Sequence, residues 1–198
     1  FGANYAIDKD MGVFLRFNRG YKMPYFDDFR DNFGTFTAGN DLIKEVSQAE
    51  LGYKYMSDEL QLFATLFSNE VKGDTFVRRP GAPAEILTNE AYGLELDGKY
   101  DHDSGFSVNL NATFQETEIT ASAANEGNEA QRQPGWQLRV TPSYEIEVGE
   151  GMYMNLYGTF SAVDDRFGNN ENTVVLEGYE KVDVGVTFEP TEALKLQL

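Results

Sequence analysis

The chain has 198 residues, of which 33 are acidic and 16 are basic, so its formal net charge is −17, and it contains no Cys and one His. The acidic surplus argues against nucleic acid as a partner, because a phosphate backbone attracts Lys and Arg and repels carboxylates. The lack of Cys excludes a disulfide framework and a thiolate metal site, and a single His cannot build a His-rich zinc site.

Apolar and polar residues alternate strictly along several segments. The regular ones are 106–114, 136–146, 152–160 and 182–188, and less regular ones are 13–21, 49–55, 60–68 and 92–100. A period of two predicts β-strands with one apolar and one polar face. No comparable segment has a helical period, and no stretch approaches the ~18 apolar residues of a transmembrane helix. The sequence therefore predicts an all-β fold.

Ten strands are predicted, joined by connections of alternating length. In chain order the strands are 1–7, 12–22, 44–56, 60–72, 86–100, 105–118, 135–147, 152–163, 178–189 and 194–198. Short turns fall near 8–11, 57–59, 101–104, 148–151 and 190–193, and long loops near 23–43, 73–85, 119–133 and 164–177. Complete strands exceed the average globular strand of about five to six residues and reach the about 9–11 of a membrane-spanning strand. Long alternating strands with asymmetric connections predict an antiparallel transmembrane β-barrel.

Alternation alone is typical of both a membrane barrel and a soluble β-sandwich. The kinds of residue on the two faces of the strands must therefore distinguish these folds. Aromatic residues near strand ends lie on the apolar parity: Tyr53, Tyr55, Tyr92, Tyr100, Trp136 and Tyr144. Charged residues lie in mid-strand on the polar parity: Arg16, Glu50, Lys54, Glu95, Asp97, Lys99, Arg139 and Asp183. Aromatic girdles at membrane interfaces and a polar interior are both typical of outer-membrane barrels. These features favour the barrel.

Four segments resemble stretches of one known family. Residues 18–29, which contain Arg-Gly-Tyr-Lys-Met-Pro, are similar to the segment of TonB-dependent outer-membrane receptors in which a strand climbs to the cell surface and opens an extracellular loop. Residues 44–54 are similar to the family's return strand, and residues 62–67 to the partner of that strand. Residues 176–186 resemble a strand near the end of the barrel. The order and spacing of these segments carry the resemblance.

The resemblance implies a barrel of about twenty-two strands, of which this chain supplies about ten. Receptors of this family also have an N-terminal plug domain and a short periplasmic box that engages an energising protein, and neither is found in this sequence. We therefore expect residues 1–198 to be part of a receptor β-barrel domain, with no plug domain in this chain.

The implied function is energised uptake of a scarce nutrient complex at the cell outer membrane, most often an iron–siderophore chelate. The implied partners are membrane lipid, lipopolysaccharide, the periplasmic energising protein and the small-molecule nutrient complex. Alternatives are uptake of oligosaccharide or cobalamin by the same fold, a passive porin-like barrel, and a soluble β-sandwich binding module. Aromatic residues such as Trp136 would suit stacking on a sugar.

Candidate ligand-binding residues lie in two of the long loops. Tyr25, Phe26, Asp27 and Arg30 combine aromatic and charged side chains in one loop, which suits ligand capture, and the alternative is a solvated loop whose aromatic rings pack on its own backbone. Arg78 and Arg79 form the only adjacent basic pair in the sequence. Such a pair favours an anionic chelate, or else balances the charge of acidic loops.

No pattern in the sequence predicts catalysis, a cofactor or a metal site. The acidic pairs at 27–28 and 164–165 each supply too few oxygens for calcium, which takes six to eight. No phosphate-binding Gly-rich loop and no nucleophile motif beside His102 is present. The sequence therefore predicts a receptor and not an enzyme.

Overall fold

The structure, a computed structural model, describes residues 1–23, 43–76, 85–191 and 193–198. The strands in these residues are β1 (Gly2–Ala6), β2 (Met11–Lys22), β3 (Lys44–Met56), β4 (Leu60–Phe76), β5 (Glu85–Asp101), β6 (Phe106–Ala121), β7 (Trp136–Gly149), β8 (Met152–Val163), β9 (Arg166–Phe167), β10 (Val175–Leu176), β11 (Tyr179–Thr191) and β12 (Leu194–Gln197). Within the same ranges there is no helix with the length and apolarity needed to cross a membrane.

Ten of these strands form one antiparallel sheet in the order β1-β2-β3-β4-β5-β6-β7-β8-β11-β12, and β9 pairs with β10 as a separate hairpin. This meander confirms the predicted ten strands and differs from a sandwich, in which two sheets pack face to face. Four strands end two or more residues later than the alternation predicts: β4 at Phe76, β6 at Ala121, β7 at Gly149 and β11 at Thr191. The β9–β10 hairpin has no counterpart in the sequence pattern.

The connections at the two ends of the sheet differ in length, as predicted. Tight turns at 7–10, 57–59, 102–105 and 150–151 lie at one end, which we call the turn end. Gly105, with φ of 87°, takes the left-handed conformation that a side chain would disfavour, and its N–H donates to the carbonyl of His102 at 3.0 Å. Long connections, including 122–135 and 164–178, lie at the opposite end, which we call the loop end.

The strand register keeps the two parities on opposite faces of the sheet. Arg16 lies opposite Glu50, and the two side chains form an ion pair of 2.9 Å. Asn111 lies opposite Asp97 and donates to its carboxylate at 2.6 Å. Further cross-strand bonds join Ser107 to Ser143 at 2.7 Å and Thr141 to Thr159 at 3.1 Å. Cross-strand hydrogen bonds and an ion pair therefore join side chains of the polar parity, and we call this side of the sheet the polar face.

The opposite face carries an apolar band between two rows of aromatic rings. On β5 the rings are Tyr92 and Tyr100, on β6 Phe106 and Phe114, and on β7 Trp136 and Tyr144. The register places Phe114 opposite Trp136 and Phe106 opposite Tyr144, so the rings form rows across the strands. A separation of eight residues spans ~26 Å along a strand and ~20 Å across a barrel wall tilted by ~40°. This is close to the ~25 Å apolar band of outer-membrane barrels.

Aromatic rings on the polar face cover glycines on the neighbouring strand. Phe14 lies directly opposite Gly52, and Tyr157 lies directly opposite Gly185. A Cβ atom built on either glycine would overlap the facing ring. The missing side chains therefore create the space in which the rings lie flat against the sheet, an arrangement that fixes the register of the paired strands.

Candidate ligand-binding site at the loop end of the sheet

The connection between β6 and β7, residues 122–135, folds over the polar face, and we call it the cover segment. Two apolar side chains, Ile119 and Leu87, lie beneath it on the polar face. They are 0% and 2% exposed. Ile119 also donates its N–H to the carbonyl of Asn128 at 2.7 Å, and Gly127 donates to the carbonyl of Ile119 at 2.9 Å. The cover segment is therefore held against the sheet by buried apolar contact and by backbone hydrogen bonds.

The cover segment also binds the connection between β8 and β11, residues 164–178. Asn172 accepts from the N–H of Glu129 at 2.8 Å and donates to the carbonyl of Glu129 at 3.0 Å. Asn128 donates to the carbonyl of Asn170 at 2.8 Å, and the N–H of Arg132 donates to the carbonyl of Phe167 at 2.6 Å. Asn side chains thus supply most of the hydrogen bonds that join the two connections, together with the backbone bond from Arg132 to Phe167 in β9.

A cavity of about 500 Å³ lies between the cover segment and the polar face of β4, β5 and β6. Six amide side chains line it: Asn69, Asn89, Gln115, Gln131, Gln133 and Asn170. Val71, Leu87, Ala91 and Ala130 supply apolar surface, and Thr117 supplies a hydroxyl group. A second cavity of about 460 Å³ shares Gln115, Thr117 and Gln133 with the first and continues towards Arg166. Both volumes fall within the range of small-molecule sites.

The lining of the 500 Å³ cavity also contains charged residues. The Asp74 carboxylate accepts from the Lys44 ammonium at 2.7 Å and from the Asn89 amide at 3.3 Å. Arg132 is the other charged residue that the cavity lining takes from the polar side, since Glu90 lies opposite Glu70 and Glu118 and its side chain belongs to the other face of the sheet. No group of three or more His, Cys, Asp or Glu side chains in the described ranges is placed to hold a metal ion. The cavity therefore offers hydrogen bonding by neutral amides beside one guanidinium group, that of Arg132.

Three buried amide atoms lining the cavity have no hydrogen-bond partner within the described residues. They are Oδ1 of Asn69, Oδ1 of Asn89 and Nδ2 of Asn170. Asn170 is only 3% exposed, although its Oδ1 accepts from the N–H of Gln131 at 3.3 Å. Buried polar atoms are almost always paired, so these three atoms mark a place where a further polar group fits.

The predicted ligand-binding residues Tyr25, Phe26, Asp27, Arg30, Arg78 and Arg79 all lie outside the residues that the structure describes. Their role stays a prediction. Trp136 is described and lies on the apolar face opposite Phe114, so it borders the membrane band and does not line the cavity.

The amide residues of the cavity were accessible to sequence reasoning only in part. Alternation assigns Asn69, Asn89 and Gln115 to the polar face, but it does not show that a loop covers them. The local signals are Ile119 and Leu87, two large apolar residues at polar-parity positions.

The family model described as TonB dependent receptor-like, beta-barrel matches residues 1–198 of the chain. The chain belongs to this family. TonB-dependent receptors are outer-membrane β-barrel proteins, and they are receptors and transporters rather than enzymes. The predicted fold class, location and family are therefore confirmed, and the apolar band of the sheet is the part of the barrel wall that faces lipid.

Individual TonB-dependent receptors resemble this chain over its length but are much longer. The ferrichrome receptor FcuA of Yersinia enterocolitica is 28% identical over 145 residues, which are 71% of this chain and 19% of that protein. The ferric yersiniabactin uptake receptor FyuA from Yersinia pestis superposes with a TM-score of 0.79 at 20% identity, over 99% of this chain and 30% of that one. BauA, the ferric preacinetobactin receptor from Acinetobacter baumannii, superposes with a TM-score of 0.77 at 17% identity, over 94% and 28%. The chain thus spans about a fifth to a third of these relatives.

Proposed function

We propose that this chain is a section of the barrel of an outer-membrane receptor for energised uptake of an iron–siderophore chelate. The observation that carries the proposal is the cavity of about 500 Å³ at the loop end of a barrel wall that belongs to this receptor family. The similar proteins named above are receptors for ferrichrome, ferric yersiniabactin and ferric preacinetobactin. Iron chelates are therefore the ligand class that the relatives support.

In this proposal residues 1–198 form part of one barrel domain, with the loop end at the cell surface and the turn end in the periplasm. Lipid and lipopolysaccharide contact the apolar band and its outer border. The polar face lines the path of the ligand, and a periplasmic energising protein acts through other parts of the receptor. Nucleic acid is not a partner, in keeping with the net charge of −17.

The loop residues proposed from the sequence complete the ligand site. Tyr25, Phe26, Asp27 and Arg30 belong to the connection that follows β2, and Arg78 and Arg79 come two and three residues after the end of β4. Since β4 also carries Asn69 and Asp74 of the cavity lining, a ligand leaving the loops would meet the cavity next.

Transport by the full-length receptor tests the proposal. A strain without its other siderophore receptors is given the gene on a plasmid, and uptake of radioactive iron is measured for a panel of ferric chelates. We expect uptake of at least one chelate at nanomolar concentration, and we expect it to stop when the proton-motive force is dissipated. Uptake of none of the chelates, with the receptor present in the outer membrane, would contradict the proposal.

Oligosaccharide uptake by the same fold is a second candidate, favoured by one feature of the cavity. Amide side chains both donate hydrogen bonds to sugar hydroxyl groups and accept them, and six amide side chains line this cavity. Growth on an oligosaccharide that depends on the receptor, together with no chelate uptake, would favour this candidate.

A further inference from the structure

The pairing of β7 with β8 is interrupted within the apolar band. Residues 137–140 of β7 pair with residues 160–163 of β8, and pairing resumes at Ser143 opposite Tyr157, which leaves residues 141–142 out of the register. On its other side β7 pairs with β6 through the same positions without a gap. The interruption therefore lies in the boundary between β7 and β8, which we call the seam, and not in the boundary between β6 and β7.

Pro142 accounts for this interruption, because proline has no N–H to donate to a neighbouring strand. Successive residues of an antiparallel strand bond alternately to the two neighbouring strands. The N–H of Glu145 donates to the carbonyl of Gly105 beside β6 at 2.9 Å, so the even-numbered residues of β7 bond to β8. The register on both sides of the gap places Gly158 opposite Pro142, and the carbonyl of Gly158 therefore receives no backbone bond from β7. A membrane wall relies on complete strand pairing, so the seam is weakened at this point.

Hydrogen bonds outside the strands hold the loop end of the seam. The cover segment leads into β7, and the connection 164–178 follows β8, so every bond between these two connections crosses the seam. The side chain of Asn172 accepts from the N–H of Glu129 at 2.8 Å and donates to its carbonyl at 3.0 Å. Asn128 donates to the carbonyl of Asn170 at 2.8 Å. We call these three bonds the latch.

A short section of paired strand lies between the latch and Pro142. It consists of residues 137–140 with residues 160–163, and an isolated pair of strands of this length is marginally stable. Residues 160–163 also pair with β11, so β8 would keep its other partner if this section opened. The cavity of about 460 Å³ lies at the loop end of the section, since its lining takes Glu129 from one connection and Arg166 from the other. Open space is thus already present where the two connections meet.

We infer that the loop-end section of the seam is a conformational device that opens as a unit when the latch breaks. Opening separates the cover segment from the connection 164–178 and widens the cavity of about 460 Å³ between them. The missing ladder bond at Pro142 marks where the opening stops, and the hydroxyl bond of 3.1 Å between Thr141 and Thr159 is the pivot at that point. The device belongs to the barrel wall itself and does not depend on which ligand the receptor takes up.

Three variants of the full-length receptor test the inference. Asn172→Gly removes two of the three latch bonds and keeps a residue that suits the left-handed backbone at this position, where φ is 52°. Asn169→Ala is its matched control, because the Asn169 side chain bonds to Thr173 and Val174 within the same connection and makes no latch bond. Pro142→Val supplies the missing N–H together with a side chain that suits the lipid-facing side.

Amide hydrogen exchange of the receptor in lipid nanodiscs is the measurement. The N–H groups of Phe160 and Ala162 report on the section, because both residues pair with even-numbered residues of β7. The N–H of Leu156, which pairs with Tyr144 on the turn-end side of Pro142, reports on the rest of the seam. Heat-modifiable migration in gels confirms that each variant folds, and Pro142→Ala replaces Pro142→Val if the latter does not fold.

We expect Asn172→Gly to speed exchange at Phe160 and Ala162 by the same factor, about tenfold, because the section opens as a unit once two latch bonds are lost. Exchange at Leu156 should stay within about twofold of the wild type, and the control variant should leave all three positions within the same limit. Pro142→Val should slow exchange at Phe160 about fivefold, because the added ladder bond joins the section to the rest of the seam.

Each other result would overturn the inference. If Asn172→Gly speeds exchange at Leu156 as much as at Phe160, the opening does not stop at Pro142. Unchanged exchange at Phe160 in that variant would show that the latch does not hold the section. Equal effects of Asn172→Gly and Asn169→Ala would make the connection as a whole responsible, and not the latch. An unchanged rate at Phe160 in the Pro142 variants would show that the missing bond does not bound the section.

Discussion

Truncating Ile119 should release the cover segment from the polar face. The side chain is 0% exposed. The backbone N–H of Ile119 donates to the carbonyl of Asn128, and its carbonyl accepts from the N–H of Gly127. Replacing a buried Ile by Ala costs about 2–5 kcal/mol. We expect the lower end of this range, about 2 kcal/mol, because the adjacent cavity of about 500 Å³ lets the segment relax into the space.

Amide hydrogen exchange measures this change directly. The N–H of Gly127 bonds to the carbonyl of Ile119 at 2.9 Å, so it exchanges only when the cover segment opens. Since 1.4 kcal/mol corresponds to a factor of ten, Ile119→Ala should speed exchange at Gly127 about 30-fold. The N–H of Gly105, which bonds within a turn at the opposite end of the sheet, should exchange at an unchanged rate.

Ile146→Ala is the matched control, because Ile146 lies on the apolar face of β7, opposite Met154, whereas the cover segment lies on the polar face. It should leave exchange at Gly127 unchanged. If Ile119→Ala and Ile146→Ala have the same effect at Gly127, or if neither has any, Ile119 does not anchor the cover segment.

Two further predictions concern packing on the polar face and orientation. Gly52→Ala should lower the free energy of unfolding by about 1–3 kcal/mol, because its Cβ overlaps Phe14, whereas Gly20→Ala, with no atom within 4 Å, should change it little in denaturant titrations. Equal effects would show that the Phe14 ring moves away freely. On whole cells, a membrane-impermeant maleimide should label Glu126→Cys in the cover segment and not Asp103→Cys in a turn, and residues 1–198 add no background because they contain no Cys. Equal labelling would contradict the orientation.

The strands and their faces could be predicted because both signals are local. Each strand crosses an apolar environment on one side and a polar one on the other, so its sequence must alternate for the whole crossing. The signal fails where the crossing ends. Glu116 and Glu118 share the parity of Phe114, and they lie beyond the ring row, where the outer face no longer contacts lipid. The end of β6 was therefore predicted three residues too early.

The cover segment and the cavity could not be predicted, because they depend on contacts between distant parts of the chain. Glu129 and Asn172 are 43 residues apart, and nothing in either local sequence indicates their two hydrogen bonds. The composition of the cover segment, rich in Ala, Asn, Glu and Gly, is typical of a solvated loop. The amides of the cavity become a site only once that segment covers them.

The assignment of the two faces is tested most directly by two neighbouring residues of β7. Val140 lies on the apolar face, four residues from both Trp136 and Tyr144, and opposite Leu110 and Phe160. This position is at the middle of the apolar band, where Arg costs about 2–4 kcal/mol in a transmembrane barrel.

Thr141 points to the polar face and bonds to Thr159 at 3.1 Å, so Thr141→Arg should cost only the loss of that bond, about 1 kcal/mol. Unfolding of the full-length receptor in lipid bilayers should therefore show a larger loss of stability for Val140→Arg than for Thr141→Arg. A soluble sandwich would give the same order, because its apolar face would pack in a core that admits Arg only at a large cost while its polar face would be in water. The decisive measurement is therefore how the loss of stability depends on lipid thickness. The loss caused by Val140→Arg should be smaller in thinner bilayers, where an Arg side chain reaches the interface, and the loss caused by Thr141→Arg should not change. A penalty at Val140 that is independent of bilayer thickness would refute the assignment of this face to lipid.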